Sequence, residues 1–259
     1  MTIWDLRSSS INMTLKRIFS WLGVFLIIAS FLVISAVNAD VNFDFSQMWV
    51  YRTRFAQGFV LTVQISLFSM ILSLILGSLV VLGRRSRWMV IRDLAATYVE
   101  IIRGTPLLVQ IIFFYYIIGT AWGLSNRFIA GVLILSVFEG AYISEIIRGG
   151  VNSIESKQME IARSIGLTKM KMFRLILLPQ LIIRIIPAIA GQFASVIKDS
   201  SLLSTIAIIE LMQVTKEITA TNYSTYYTSY IVLAVLYLIL TFPVSMLSRW
   251  LERRNRYET

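Results

Sequence analysis

The chain has 259 residues, 57% of them hydrophobic and 15% charged, with a formal net charge of +10 and a mean hydropathy of +0.74. Soluble domains carry roughly 45–50% apolar and about 25% charged residues, so this is the composition of a polytopic membrane protein. Cys and His are both absent, which excludes disulfides, thiolate or imidazole metal sites, Ser-His and Cys-His nucleophiles and histidine proton relays. No catalytic residue, metal site or cofactor is expected.

A helical span needs about 20 mostly apolar residues. The first such run is Ile18–Val37, preceded by Lys16 and Arg17. Val37-Asn38-Ala39 resembles a signal-peptidase site, with a mature chain from Asp40, but signal peptides carry only about 7–15 apolar residues, so a retained anchor is expected. The second run, Gly58–Leu82, carries Thr62, Ser66, Ser69, Ser73 and Gly77 at helical steps. That small, polar face suits close helix packing, and it also suits a wet pathway. Gln64 and Gln110 offer amides to a zwitterion or to a neighbouring helix. The third run, Thr105–Ala121, ends among Tyr115, Tyr116 and Trp122, and Tyr223–Tyr230 forms a second aromatic cluster. Both fit an interfacial belt.

The fourth run, Phe128–Ile147, holds Glu139 and Glu145. Charge at membrane depth costs about 2.5–3.5 kcal/mol even on lenient scales and requires a partner or a wet cavity. Glu145 has Arg148 three residues on, on the same helix face. Glu139 is deeper and has no local cation, leaving a pathway role or pairing with Arg103 or Arg184. Residues 153–178 then read as two short helices, Ile154–Ile165 and Lys169–Leu177, with Gly166 as C-cap, Thr168 as N-cap and Pro179 marking the next element. A helix–Gly–helix projection fits docking of a partner, and it also fits an amphipathic hairpin lying on lipid. Gln180–Ile197 is a further span. Ser201–Met212 is apolar but only about 12 residues long, the length of a re-entrant or interfacial piece. Lys198-Asp199-Ser200-Ser201 before it is either a pathway lining or an external loop. Ser229–Ser248 is the last run, followed by a basic tail, 249–259.

Six spans place both termini on one side, and that side collects 18 of the 24 Lys and Arg, against five on the other and Arg184 within a span. Cytoplasmic loops carry such an excess. Both termini are therefore expected in the cytoplasm, in a cell (inner or plasma) membrane, and the net charge needs no nucleic acid to explain it.

Glu160-Ile161-Ala162, then Gly166 after three intervening residues and Ile176-Leu177-Leu178-Pro179 after nine more, resemble the EAA loop of ABC importer permeases, with Ile161 where the family has its middle alanine. Arg103-Gly104-Thr105-Pro106-Leu107-Leu108-Val109-Gln110 resembles the R-G-T-P-L-L-x-Q run of the polar amino acid (histidine/glutamine-type) subfamily. Tyr142 to Gly150, with Glu145 and Arg148, resembles its segment before the loop, and Lys198-Asp199-Ser200-Ser201-Leu202 and Glu210-Leu211 resemble its later motifs. The resemblance covers roughly 58–248. It implies an all-α fold of six transmembrane helices: a five-helix permease core (58–248) with a cytoplasmic coupling loop (149–178), preceded by an extension with one helix and an external linker (1–57). It implies the permease subunit of an ATP-driven importer of polar or charged amino acids, or close analogues. The implied partners are ABC ATPase subunits, a second permease copy or sister permease, an extracytoplasmic solute-binding protein and the bilayer. Glu160, Ala162, Gly166 and Pro179 would couple to the ATPase, and Thr62, Ser66, Gln110, Glu139, Lys198, Asp199, Ser200 and Ser201 are candidates for the pathway. No Gly-rich phosphate cradle occurs in the chain, so ATP would bind a partner. An ion-gradient-driven transporter is the alternative, but it would show Gly/Pro-broken helices in two matching halves, and only the region of Pro179 and Pro187 has that character. A scaffold or membrane enzyme finds little support in an isolated Glu.

Overall fold

The structure is a computed structural model that describes residues 10–38, 43–154 and 156–255. Arg7, Ala39, Asp40, Glu155 and Arg256, which enter the charge distribution, the cleavage alternative or the loop, lie outside the described residues. Contacts divide the chain between Asp44 and Phe45. The first unit contributes one helix, α1 (Ser10–Asn38), whose most apolar stretch is Phe19–Phe31.

The second unit begins with a 3-10 turn, Ser46–Trp49, inside the stretch expected as an extension. It continues through α2 (Arg52–Arg84), α3 (Met89–Gly104), α4 (Leu107–Ile112) with a π-helical continuation Phe113–Gly119, and α5 (Arg127–Asn152). Next come α6 (Ser156–Ser164), α7 (Lys169–Met172), α8 (Leu178–Asp199), a 3-10 turn Ser200–Ile206, α9 (Leu211–Thr221) and α10 (Tyr226–Asn255). Among the described residues all regular elements are helical. Among the described residues four segments are long and apolar enough to cross a membrane: Arg52–Arg84, Arg127–Asn152, Lys169–Ile206 and Tyr223–Arg254. Met89–Gly104 and Leu107–Gly119, bent by 113°, make a fifth if they cross as one.

That elbow differs from the straight third span expected at Thr105–Ala121. The basic stretch before it is itself mostly helix α3, and the chain turns at Thr105-Pro106. A residue before proline is pushed out of the α region, and Thr105 is extended (φ −122°, ψ 148°). Gln110 closes the joint, its Nε2 donating to the Ile102 carbonyl and the Thr105 hydroxyl at 2.7 Å each. The short apolar piece after α8 is also broken. Ala207 takes a left-handed conformation (φ 54°, ψ 41°), which costs a non-glycine residue about 1–2 kcal/mol, and Arg127 donates to its carbonyl at 3.4 Å.

The most extensive helix pair is α2 with α5, and its face is the stripe of small residues on α2. Ser69 donates to the Val132 carbonyl and Ser136 to the Ser69 carbonyl, both at 3.3 Å. At Gly77 an added Cβ would lie 2.8 Å from Ile143 Cγ2 and 2.9 Å from the Gly140 carbonyl oxygen. Backbone approach of this kind is how helices associate in lipid, where burial of apolar surface supplies no drive. A core of Ile65, Ile111, Leu135, Leu203 and Ile206 joins α2, α4, α5 and the turn after α8. A second core, with Met48, Phe55, Leu211, Val214 and Leu233, binds α9 to the first turns of α2 and to α10.

Gly77→Ala is therefore expected to destabilise the chain by about 1–3 kcal/mol, the usual range for overpacking. Gly149→Ala, where nothing lies within 4 Å of the new Cβ, should be neutral or slightly stabilising. Thermal unfolding of the two variants in one detergent checks the contrast.

Candidate functional site

Glu139 is fully buried at the junction of α5 with α8. Its Oε2 accepts from Gln192 Nε2 at 2.6 Å, while its Oε1 has no hydrogen-bond partner. The Asp199 carboxyl lies beside it, with Lys198 acting on Asp199. Gln192 and Asp199 are seven residues apart on α8 and so share a face. Asp199 is half-buried and Glu139 fully buried, and two carboxyl groups side by side favour a positive partner, either a proton or a cationic ligand group. Arg103 and Arg184, the two cations considered for Glu139, are engaged elsewhere: Arg103 with Glu145, Arg184 with the Ser153 carbonyl and, at 2.9 Å, its hydroxyl. No group of three or more Asp or Glu side chains suited to a metal ion occurs among the described residues.

The other expected pathway residues divide between buried and accessible positions. Thr62 and Ser66 donate to backbone carbonyls one turn earlier, at 2.9 and 2.7 Å, and are fully buried. Ser200 does likewise to Ile197 at 2.8 Å, Ser201 is half-buried, and Lys198 is exposed. Gln110 belongs to the elbow. Thr62 also accepts from the Leu211 amide at 3.2 Å, which brings it next to a second buried carboxylate. Glu210 caps α9 through the Met212 and Gln213 amides at 2.9 Å each and accepts from the Tyr237 hydroxyl at 2.7 Å. Burial pushes this carboxyl up to about 7, against the lowering effect of the Met212 amide, Tyr237, the Gln213 amide and Lys216.

At the other end of the spans, two of the sequence motifs meet at Glu145. Arg148 binds it at 2.6 and 3.0 Å, Arg84 at 2.5 Å and Arg103 at 3.4 Å. Arg103 also lies over the Tyr142 ring, 5.4 Å from its centre. Gly104, Thr105 and Pro106 form the elbow next to this cluster. Sequence spacing alone supplied the Arg148 pair; Arg84 is 61 residues from Glu145 and carries no local signal. Gln192 and Tyr237 were missed for the same reason.

The projecting loop is built on a Schellman motif. Leu167 N–H reaches the Ala162 carbonyl at 3.1 Å and Gly166 N–H the Arg163 carbonyl at 3.0 Å, with Gly166 at φ +80°. Thr168 caps α7. Glu160, Ile161, Ile165, Gly166 and Pro179 are exposed, but Ala162 is 1% exposed. Its small side chain therefore admits the chain's own packing, and the outward face is that of Glu160, Ile161 and Ile165. Gln158 and Gln180 join the loop to α8 at 2.8 Å.

Residues 70–257 match the model of a family described as binding-protein-dependent transport system inner membrane component. The glutamine transport system permease protein GlnP of Escherichia coli is 33% identical over 218 residues, 83% of this chain and 99% of that protein. The L-cystine transport system permease protein TcyB of Bacillus subtilis is 36% identical over 201 residues, 77% and 86% of the two chains. A crystal structure of an amino acid ABC transporter with histidines aligns with TM-score 0.76 and 32% identity over 83% of this chain and 100% of that one. A MetNI methionine ABC transporter shares the fold at TM-score 0.60, with 18% identity over 80% and 99% of the two chains.

Glu210 yields a pH prediction. Its folded value lies near 7, above the ordinary 4.5, so between these limits the folded chain keeps a proton that the unfolded chain has released. Its contribution to stability is complete below about 4.5 and is lost as pH rises through about 7. Glu210→Gln should flatten this part of the pH profile of thermal unfolding while keeping one acceptor for the α9 amides. A variant as pH-sensitive as the parent over that window would refute the assignment.

Proposed function

The chain belongs to the family of inner membrane components of binding-protein-dependent transport systems, and on that premise we propose that its cargo is a polar or charged amino acid or a close analogue. It is a transport component and not a catalyst. ATP hydrolysis falls to ABC ATPase subunits seated on the loop of α6 and α7, cargo arrives on an extracytoplasmic solute-binding protein, and a second copy or a sister permease completes the pathway. Helix α1 adds a sixth span. The 18-to-5 distribution of basic residues supports cytoplasmic termini and a cytoplasmic loop.

One observation carries the cargo assignment: the fully buried Glu139, held by Gln192 and set against the carboxyl of Asp199 with no cation on it. A carboxylate maintained at membrane depth is a functional group by default, and an α-ammonium group supplies the missing positive partner. Gln192 positions the carboxylate. Close relatives named for glutamine and cystine, and a neighbour named for amino acid transport, agree with this chemistry.

Two variants test the reading in proteoliposomes with the ATPase and binding protein present. Glu139→Gln keeps shape and removes charge; uptake should fall about tenfold or more, the usual worth of one charge-assisted hydrogen bond, with assembly intact. Unchanged uptake across acidic, basic and amide amino acids would overturn the cargo site. Gly166→Val places a β-branched residue at φ +80°, costing the loop about 1–2 kcal/mol. Transport-dependent ATP turnover should drop in a protein that still inserts, and unimpaired turnover would remove the loop's coupling role.

A further inference from the structure

Helices α2 and α5 run parallel and end together, and between their last turns lies a pocket of about 230 Å³ lined by Val81, Arg84, Arg85, Arg148 and Asn152. Four guanidinium groups gather here, counting Arg103, and Glu145 is the carboxylate that Arg84, Arg103 and Arg148 share. The two helix C-termini add roughly one further negative charge between them, leaving an excess of about two positive charges. Ion pairing within the chain thus accounts for part of the cluster only. Arg85 lines the pocket on the exposed side, and Asn152 contributes an amide.

The surroundings of the pocket are apolar. Ile75, Leu79 and Leu82 are exposed at steps of four and three along α2, leading away from the pocket into the span. Trp88, Met89 and Val90 are exposed at the start of α3, and tryptophan favours the headgroup level of a bilayer. Basic pockets between helices at a membrane face recognise phosphate-bearing headgroups.

We propose that this pocket holds the headgroup of an anionic phospholipid. The phosphate sits among Arg84, Arg85 and Arg148, Asn152 donates to the headgroup, and an acyl chain lies along Ile75, Leu79 and Leu82. The site depends on the spans crossing a bilayer and is independent of the cargo.

The test uses the full chain in detergent, given equal amounts of phosphatidylglycerol and phosphatidylcholine, with bound lipid read by native mass spectrometry. Arg85→Gln changes the pocket and leaves all three cations of Glu145 in place. Arg87→Gln changes charge on the same turn outside the pocket. Phosphatidylglycerol should be retained over phosphatidylcholine, Arg85→Gln should lower its retention about fivefold, the share of one basic group near an anionic surface, and Arg87→Gln should have little effect. Equal losses in both variants would mean diffuse surface attraction and overturn the site, as would equal retention of the two lipids. Millimolar inorganic phosphate should fail to displace the lipid; displacement would reassign the pocket to a free anion.

Discussion

In hydrocarbon, two apolar helices gain nothing from hiding their side chains from water, and association depends on how closely their backbones approach. Gly77 faces Gly140 across the α2–α5 contact with no room for a Cβ, and much of the rest of the molecule follows from this approach. With α5 held against α2, Glu145 comes within reach of Arg84, and Tyr98 on α3 reaches the Val137 carbonyl at 2.5 Å. Glu139 then faces α8 and not lipid. A larger residue at either glycine separates these groups together.

The same solvent permits no idle backbone polar groups, and several interruptions of the helices are closed by a side chain. Gln110 serves the elbow at Thr105-Pro106. Glu210 and Thr62 take the first amides of α9. Ser248 on α10 donates to the carbonyl of Pro187, the proline within α8, at 2.9 Å.

Much of the helical layout was legible in the sequence. Apolar length marked the spans from α2 onward, the Gly166 and Thr168 caps stood at the positions chemistry requires, and the Glu145–Arg148 pair followed from a spacing of three. The third span was expected as one run, Thr105–Ala121, and its 113° bend at Thr105-Pro106 was not read, because the angle depends on where α3 packs against α5. Arg84, Gln192 and Tyr237 joined their sites only through folding, across tens of residues. Ala162 illustrates a subtler limit. Its size was apparent, yet whether its small side chain admitted a partner or the chain itself depended on a neighbouring surface that no local pattern encodes.

The cluster at Glu145 has a consequence for biosynthesis. Arg84 leaves the ribosome 61 residues before its carboxylate, which at about 5–20 residues per second is about 3–12 seconds. Arg103 follows, still ahead of Glu145. During that interval α2 and α3 present unneutralised guanidinium groups to the insertion machinery, and these resist passage through the membrane. Only when α5 is made does the carboxylate arrive to bind them. The late acid therefore acts as a latch on an orientation that the early bases have already chosen.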